Sequence, residues 1–275
     1  MALGVSGSWV LVPEHAVDLE AAIAFAPALA DIDPRLHDEV LDWCIQFGHH
    51  FVSVTCLKHC LRSFEATHVE RFNRFAAIVN AHSGAKWPAS IALSRFEPSG
   101  KSKLKLDRPA SVHLRARKIF GINARADIVV GLTLLGPTPE PRWTHINLLL
   151  DLGYSKRALN DAFNDLALGG LLGTLRFGNT IRYALKNEDA LRSLLAPIPA
   201  RPGQPWAQRL AVAASLLDVE RRTREKSATT HAVEVRKVIE RHRKDLERSG
   251  TFVPDIRTGD PWPEINAWIA TLLRP

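Results

Sequence analysis

Between Asn123 and Lys186 the spacing of apolar positions changes, and the change divides the stretch into helices and strands. Ile128, Val129, Leu132 and Leu135 recur at helical spacing behind Asn123, a residue type that caps helix N-termini, and Gly136-Pro137 ends the run. A second helix is predicted from Thr144 to Gly153. Ser155 caps a third, in which Leu159, Ala162, Phe163 and Leu166 follow the i, i+3, i+4, i+7 rule until Gly169-Gly170. Its opposite face carries Arg157, Asn160, Asp161 and Asn164. The period then shortens: Leu171–Phe177 and Thr180–Leu185 are β-type runs joined by Gly178-Asn179, a two-residue loop able to supply the positive φ of a hairpin turn.

On either side the pattern stays helical. Asp33-Pro34 is an N-cap followed by proline at the first helical position, with Leu36, Val40, Cys44 and Phe47 along one face. Thr67-His-Val-Glu70 reads as a capping box, and Phe72, Phe75, Ala76 and Val79 continue it. Ser94 to Pro109 has the composition of a linker, and Ser111 to Phe120 that of a short basic helix. After Asn187 a short helix runs through Leu195, and the prolines of 197–203 forbid a continuous helix beyond it. Trp206–Arg222, Thr229–Arg248 and a Trp-rich tail are predicted helices. The apolar stripe of Thr229–Arg248 would either pack on Trp206–Leu217 or pair with a second copy of the chain.

Charge adds a direction to this picture. The net +7 of the 275 residues is uneven: residues 1–100 hold 7 Lys/Arg against 11 Asp/Glu, and 101–125 hold 8 against Asp107 alone. Positive charge therefore collects immediately before the central helices. A polyanion partner explains that placement through counterion release, and a solvated linker explains it too. No apolar run approaches the roughly 18 residues of a membrane span, and the N-terminus lacks a basic leader, so neither membrane nor secretion is expected. Three cysteines cannot all pair, which fits a reducing cytoplasm.

Two short helices joined by a glycine turn, followed directly by a hairpin, resemble the winged helix-turn-helix domain of bacterial transcriptional regulators. The matching words are LGYSKRAL, DLALGGLL and GNTIRYAL, within about 65 of the 275 residues. The resemblance implies a mainly α protein with a central winged helix-turn-helix and a small β-hairpin wing, flanked by helical regions. The expected divisions are 1–94, a basic linker and short helix 95–121, the winged helix 122–196, and a C-terminal region 197–275. It also implies sequence-specific binding of double-stranded DNA by a cytoplasmic repressor, a homodimer on a palindromic operator. Tyr154, Ser155, Lys156, Arg157, Asn160 and Asn164 would then face the major groove, with Arg157 suited to guanine and Asn160 to adenine. Arg176, Asn179 and Arg182 would set the wing on the DNA, and Arg115, Arg117 and Lys118 would lie along phosphates.

Asp161 and Asp165 repel phosphate, and favour the competing class: a protein-interaction or antitoxin-like regulatory subunit. Enzymatic motifs are absent, including phosphate loops, dinucleotide fingerprints, H-E-x-x-H and G-x-S-x-G. No catalytic residue, metal or cofactor is therefore expected. Cys44, His49, His50, Cys56, His59 and Cys60 form a loose cluster without the duplicated C-x2-C of structural zinc sites. Cys56 and Cys60 beside Lys58 and His59 would be reactive only if their thiol pKa values fell.

Overall fold

The computed structural model describes residues 15–89, 96–136, 141–200, 206–256 and 261–272. The expectations placed on Ser94, Pro137, residues 1–14 and residues 201–203 lie outside them. The chain is mainly helical, with one small two-stranded antiparallel sheet among the described residues. No helix there is long and apolar enough to cross a membrane.

The N-terminal helices begin where their caps dictate. Helix α1 (Leu19–Phe25) starts at Asp18, whose carboxylate accepts the Ala21 N–H at 2.9 Å. Helix α2 (Pro34–Phe51) starts at Asp33, which accepts from Leu36 at 3.0 Å, and α3 (Val54–Leu61) starts at Ser53. Helix α4 (Ala66–His82) departs from expectation. It begins before Thr67 and has no side-chain cap, so the capping box does not form. Thr67 instead turns its hydroxyl to Asp218.

Residues 96–108 are not a free linker. Phe96, Leu104 and Leu106 pack on the N-terminal core, and Asp42 accepts the N–H groups of Gly100 and Ser102. Helix α5 (Val112–Phe120) follows, then α6 (Ala124–Leu134), capped by Asn123. The stretch predicted as a second central helix is a 3-10 helix, Ile146–Leu152. It is held short at both ends. Thr144 is tied to Tyr183 by two backbone hydrogen bonds of 2.8 Å, and Gly153 takes φ +84°. A Cβ at Gly153 would also lie 2.4 Å from that of His59 on α3, so only glycine permits this approach.

Helix α7 (Lys156–Leu168) and the strands β1 (Leu172–Phe177) and β2 (Thr180–Leu185) lie where the pattern puts them. Pairing of Phe177 with Thr180 leaves Gly178-Asn179 as the loop. Gly178 alone adopts positive φ, +59°, as a type II′ turn requires at its first central position. Helices α8 (Glu188–Leu194), α9 (Trp206–Thr223), α10 (Ala228–Arg248) and α11 (Trp262–Leu272) complete the chain.

Among the described residues, apolar side chains gather in three clusters. The first holds α1–α4 with Leu114 and the Ala207, Ala211 and Ala214 face of α9. The second holds α6, α7 and the hairpin with Val112 and Ala116. Leu159 and Phe163 are fully buried there, each burial stabilising by about 1.5–3 kcal/mol. The third joins Val212, Leu216 and Val219 of α9 to Val235, Val238, Ile239 and Leu246 of α10. The α10 stripe thus packs within one chain, and the seam expected for a homodimer is already covered. Helix α5 belongs to two clusters at once, because Leu114 points one way and Val112 and Ala116 the other.

Candidate nucleic-acid interface

Helix α7 is anchored by its Leu159, Ala162, Phe163 and Leu166 face, which leaves its N-terminus and opposite side in solvent. Ser155 adopts extended dihedrals and its Oγ accepts the Ala158 N–H at 3.1 Å. Lys156 is exposed, and the Arg157 side chain is 93% exposed, with Asp161 3.9 Å away. Asn160 is half-buried. Asn164 is exposed, and its Oδ1 accepts from the Tyr183 hydroxyl at 3.1 Å. Asp161 and Asp165 open onto a cleft between α7 and the N-terminal helices, and Arg125 stands 3.6 Å from Asp165.

The hairpin is anchored only at its base. Leu172 and Tyr183 are buried, whereas Thr174 to Arg182 are exposed on both faces of the ribbon. Arg176 donates to the Gly178 carbonyl at 3.3 Å, Asn179 sits in the turn, and Arg182 lies 5.2 Å from the Phe177 ring centre. Apolar groups accompany these cations: Phe177 is 68% exposed and Leu168, at the end of α7, 88%.

Three residues expected on DNA are engaged inside the protein. Arg117 is buried and uses the whole donor fork of its guanidinium. It donates to both carboxylate oxygens of Glu20 (2.6 and 3.2 Å), to both of Asp127 (3.1 and 3.3 Å) and to the Phe51 carbonyl at 2.7 Å. Two buried carboxylates outweigh what a phosphate in solvent offers, so the side chain turns inward. Arg115 donates to the carbonyls of Leu106, Arg108, Leu195 and Pro197, joining residues 96–108 to the segment after α8. Tyr154 does not face a groove, because its hydroxyl donates to Asp127 at 2.7 Å and lies 3.4 Å from Ser53 Oγ. Lys118 stays exposed, with Nζ 4.7 Å from the centre of the Phe51 ring.

The electrostatics follow from this geometry. Burial opposes charge on Asp127, yet Arg117, His113 and Tyr154 hold its carboxyl at about 2, below the ordinary 3.8. Burial likewise opposes charge on Arg117, but Glu20 and Asp127 keep it ionised, well above the usual arginine value. Tyr154 is pushed up by burial and by the Asp127 charge. Burial, then Glu20 and Asp127, push the Cys56 thiol up to about 12, and Cys44 and Cys60 are raised by burial as well. The lowered thiol pKa that a redox sensor needs is therefore not found. No group of His, Cys, Asp or Glu among the described residues is arranged to hold a metal ion.

The partners of Arg117 escaped the sequence reading, though a signal existed. Asp127 interrupts the apolar run ADIVV of α6, and Glu20 interrupts LEAAIAF of α1. A carboxylate on the covered face of a helix implies a buried donor. Beside this network the cleft opens to about 690 Å³, with Val52–Thr55 and Gly84–Trp87 on one wall and Ile122–Arg125 and α7 on the other. No family model, curated protein or solved structure matches the chain.

Proposed function

We propose that this chain binds double-stranded DNA in a sequence-specific manner and represses transcription, with α6, α7 and the hairpin acting as a winged helix-turn-helix. The observation that carries the reading is the ribbon from Thr174 to Arg182. It stands clear of the core on both faces beside a helix whose basic N-terminus is exposed. Lys156 and Arg157 would enter the major groove, with Asn164 at the far end of the same exposed side. Arg176, Asn179 and Arg182 would contact DNA through the ribbon, and Lys118 a phosphate. Asp161 and Asp165 argue against the reading less than their sequence positions suggest, since both open on the cleft and each has an arginine nearby.

The test is selection of an operator from random DNA, followed by gel-shift titration of the variant with Lys156→Ala and Arg157→Ala together. A base contact by Arg157 contributes about 1–3 kcal/mol of discrimination, so preference for the selected sequence should fall about fivefold or more. Undiminished affinity and preference would end the assignment.

A protein partner is the second reading, favoured by the exposed Leu168, Leu175, Phe177 and Ile181 around α7 and the ribbon. A regulatory or antitoxin-like subunit would use this surface. Salt separates the two, because DNA affinity falls steeply between low and physiological ionic strength and an apolar contact does not.

A further inference from the structure

Residues 101–106, which follow Gly100 at φ +66°, cross the N-terminal helices as a strap whose side chains alternate in burial. Ser102 is buried, and Leu104 and Leu106 are half-buried against the first core, whereas Lys101, Lys103 and Lys105 are exposed. The strap is fixed along its length. Asp42, itself buried, accepts the Gly100 N–H at 2.9 Å and the Ser102 N–H at 3.3 Å. Ser111 Oγ donates to the Lys105 carbonyl at 2.7 Å, and Arg115 holds the carbonyls of Leu106 and Arg108. None of the three lysines has an ion pair among the described residues. Asp42 also accepts from Gln46, Glu39 pairs with Arg35, and Asp107 lies 3.9 Å from Arg108.

We propose that Lys101, Lys103 and Lys105 form a ridge that binds the phosphodiester backbone of nucleic acid, a second contact surface separate from α7 and the hairpin. An extended chain places alternate side chains about 6.6 Å apart on one side, so three cations stand in a line. A linear array of anions matches a line of cations, and each phosphate neutralised releases counterions. The backbone is already ordered by Asp42, Ser111 and Arg115, so association does not have to order it. An anionic membrane fits less well, because the strap turns its leucines inward and leaves no apolar group to insert. The ridge reads no bases, and it rests on the DNA-binding reading only for the identity of the polyanion.

The experiment compares the full chain with K101Q/K103Q/K105Q by fluorescence anisotropy, on the selected operator and on random duplex, from low to physiological salt. Three lost phosphate contacts should make the slope of log affinity against log salt shallower by about 2.7, equally on both duplexes. The thermal midpoint should not move, since the side chains replaced are exposed and have no ion pairs among the described residues. An unchanged slope would overturn the ridge, as would a variant that loses binding to phosphatidylserine vesicles while its DNA slope stays intact. If wild type binds duplex without sequence preference and the slope still falls in the variant, the ridge stands and the repressor reading fails. A wild-type chain that binds no DNA removes both.

Discussion

Arg115 and Arg117 on α5 stand in a sequence setting much like that of Lys156 and Arg157 at the head of α7. In each case a serine precedes the helix and basic residues stand within its first two turns. Their surroundings are opposite. Helix α5 is covered on two sides, by Leu114 in one core and by Val112 and Ala116 in another, so Arg117 is buried and Arg115 is half-buried against backbone carbonyls. Helix α7 is covered on one side only, and its cations remain outside. The number of cores a helix serves, rather than its charge, decides whether its arginines are engaged inside the protein or stay in solvent. Arg117 shows the consequence: a cation placed between two modules draws in a carboxylate from each, Glu20 from α1 and Asp127 from α6.

The sharpest way to break this comparison is to remove the two arginines in turn. Arg117→Ala leaves Glu20 and Asp127 buried without their counter-charge and should lower unfolding free energy by about 3–5 kcal/mol in urea titration. Arg157→Ala, measured the same way, should fall within about 0.5 kcal/mol of wild type. Equal losses would refute the distinction. Tyr154→Phe comes next. It deletes a hydrogen bond to an ionised carboxylate and should cost about 1.5–3 kcal/mol of stability, while operator affinity of the folded protein stays at the wild-type level. A large affinity loss without destabilisation would return Tyr154 to the proposed DNA-binding surface.

Acid titration probes the same network from the carboxylate side. Asp127 titrates at about 2 in the folded chain against an ordinary 3.8, so its ionised form is favoured by folding. That stabilisation, about 2 kcal/mol, is complete above pH 3.8 and is lost as the pH falls through about 2. The stability advantage of wild type over Asp127→Asn should shrink across that window. A difference that is flat from pH 5 to pH 2 would mean that the carboxylate is not held ionised.

Local chemistry made much of the architecture legible. Asp33, Asn123 and Ser155 each cap the helix they precede, because an N-cap needs only its own side chain and the N–H groups within three residues. The hairpin was legible for a similar reason, since Gly178 supplies the one positive φ its turn requires. Thr67 fails as a cap where a tertiary partner, Asp218 on α9, takes its hydroxyl. The 144–153 stretch fails as an α-helix where Thr144 is bound to Tyr183 and Gly153 is pressed against His59. Of the surface residues, Lys156, Arg157, Asn164, Arg176, Asn179 and Arg182 lie in solvent, while Tyr154, Arg115 and Arg117 are engaged within the protein.

By itself the sequence determined the helical period, the caps at Asp33, Asn123 and Ser155, and the ribbon. These depend on interactions within a few residues of chain. Only the tertiary structure decided that Arg117 faces Glu20 and Asp127, that the α10 stripe meets α9, and that residues 100–106 are docked on Asp42. Each of those pairings joins segments tens of residues apart. Each is settled by desolvation, because a buried charge or apolar stripe must find its partner somewhere in the chain, and no local pattern says where.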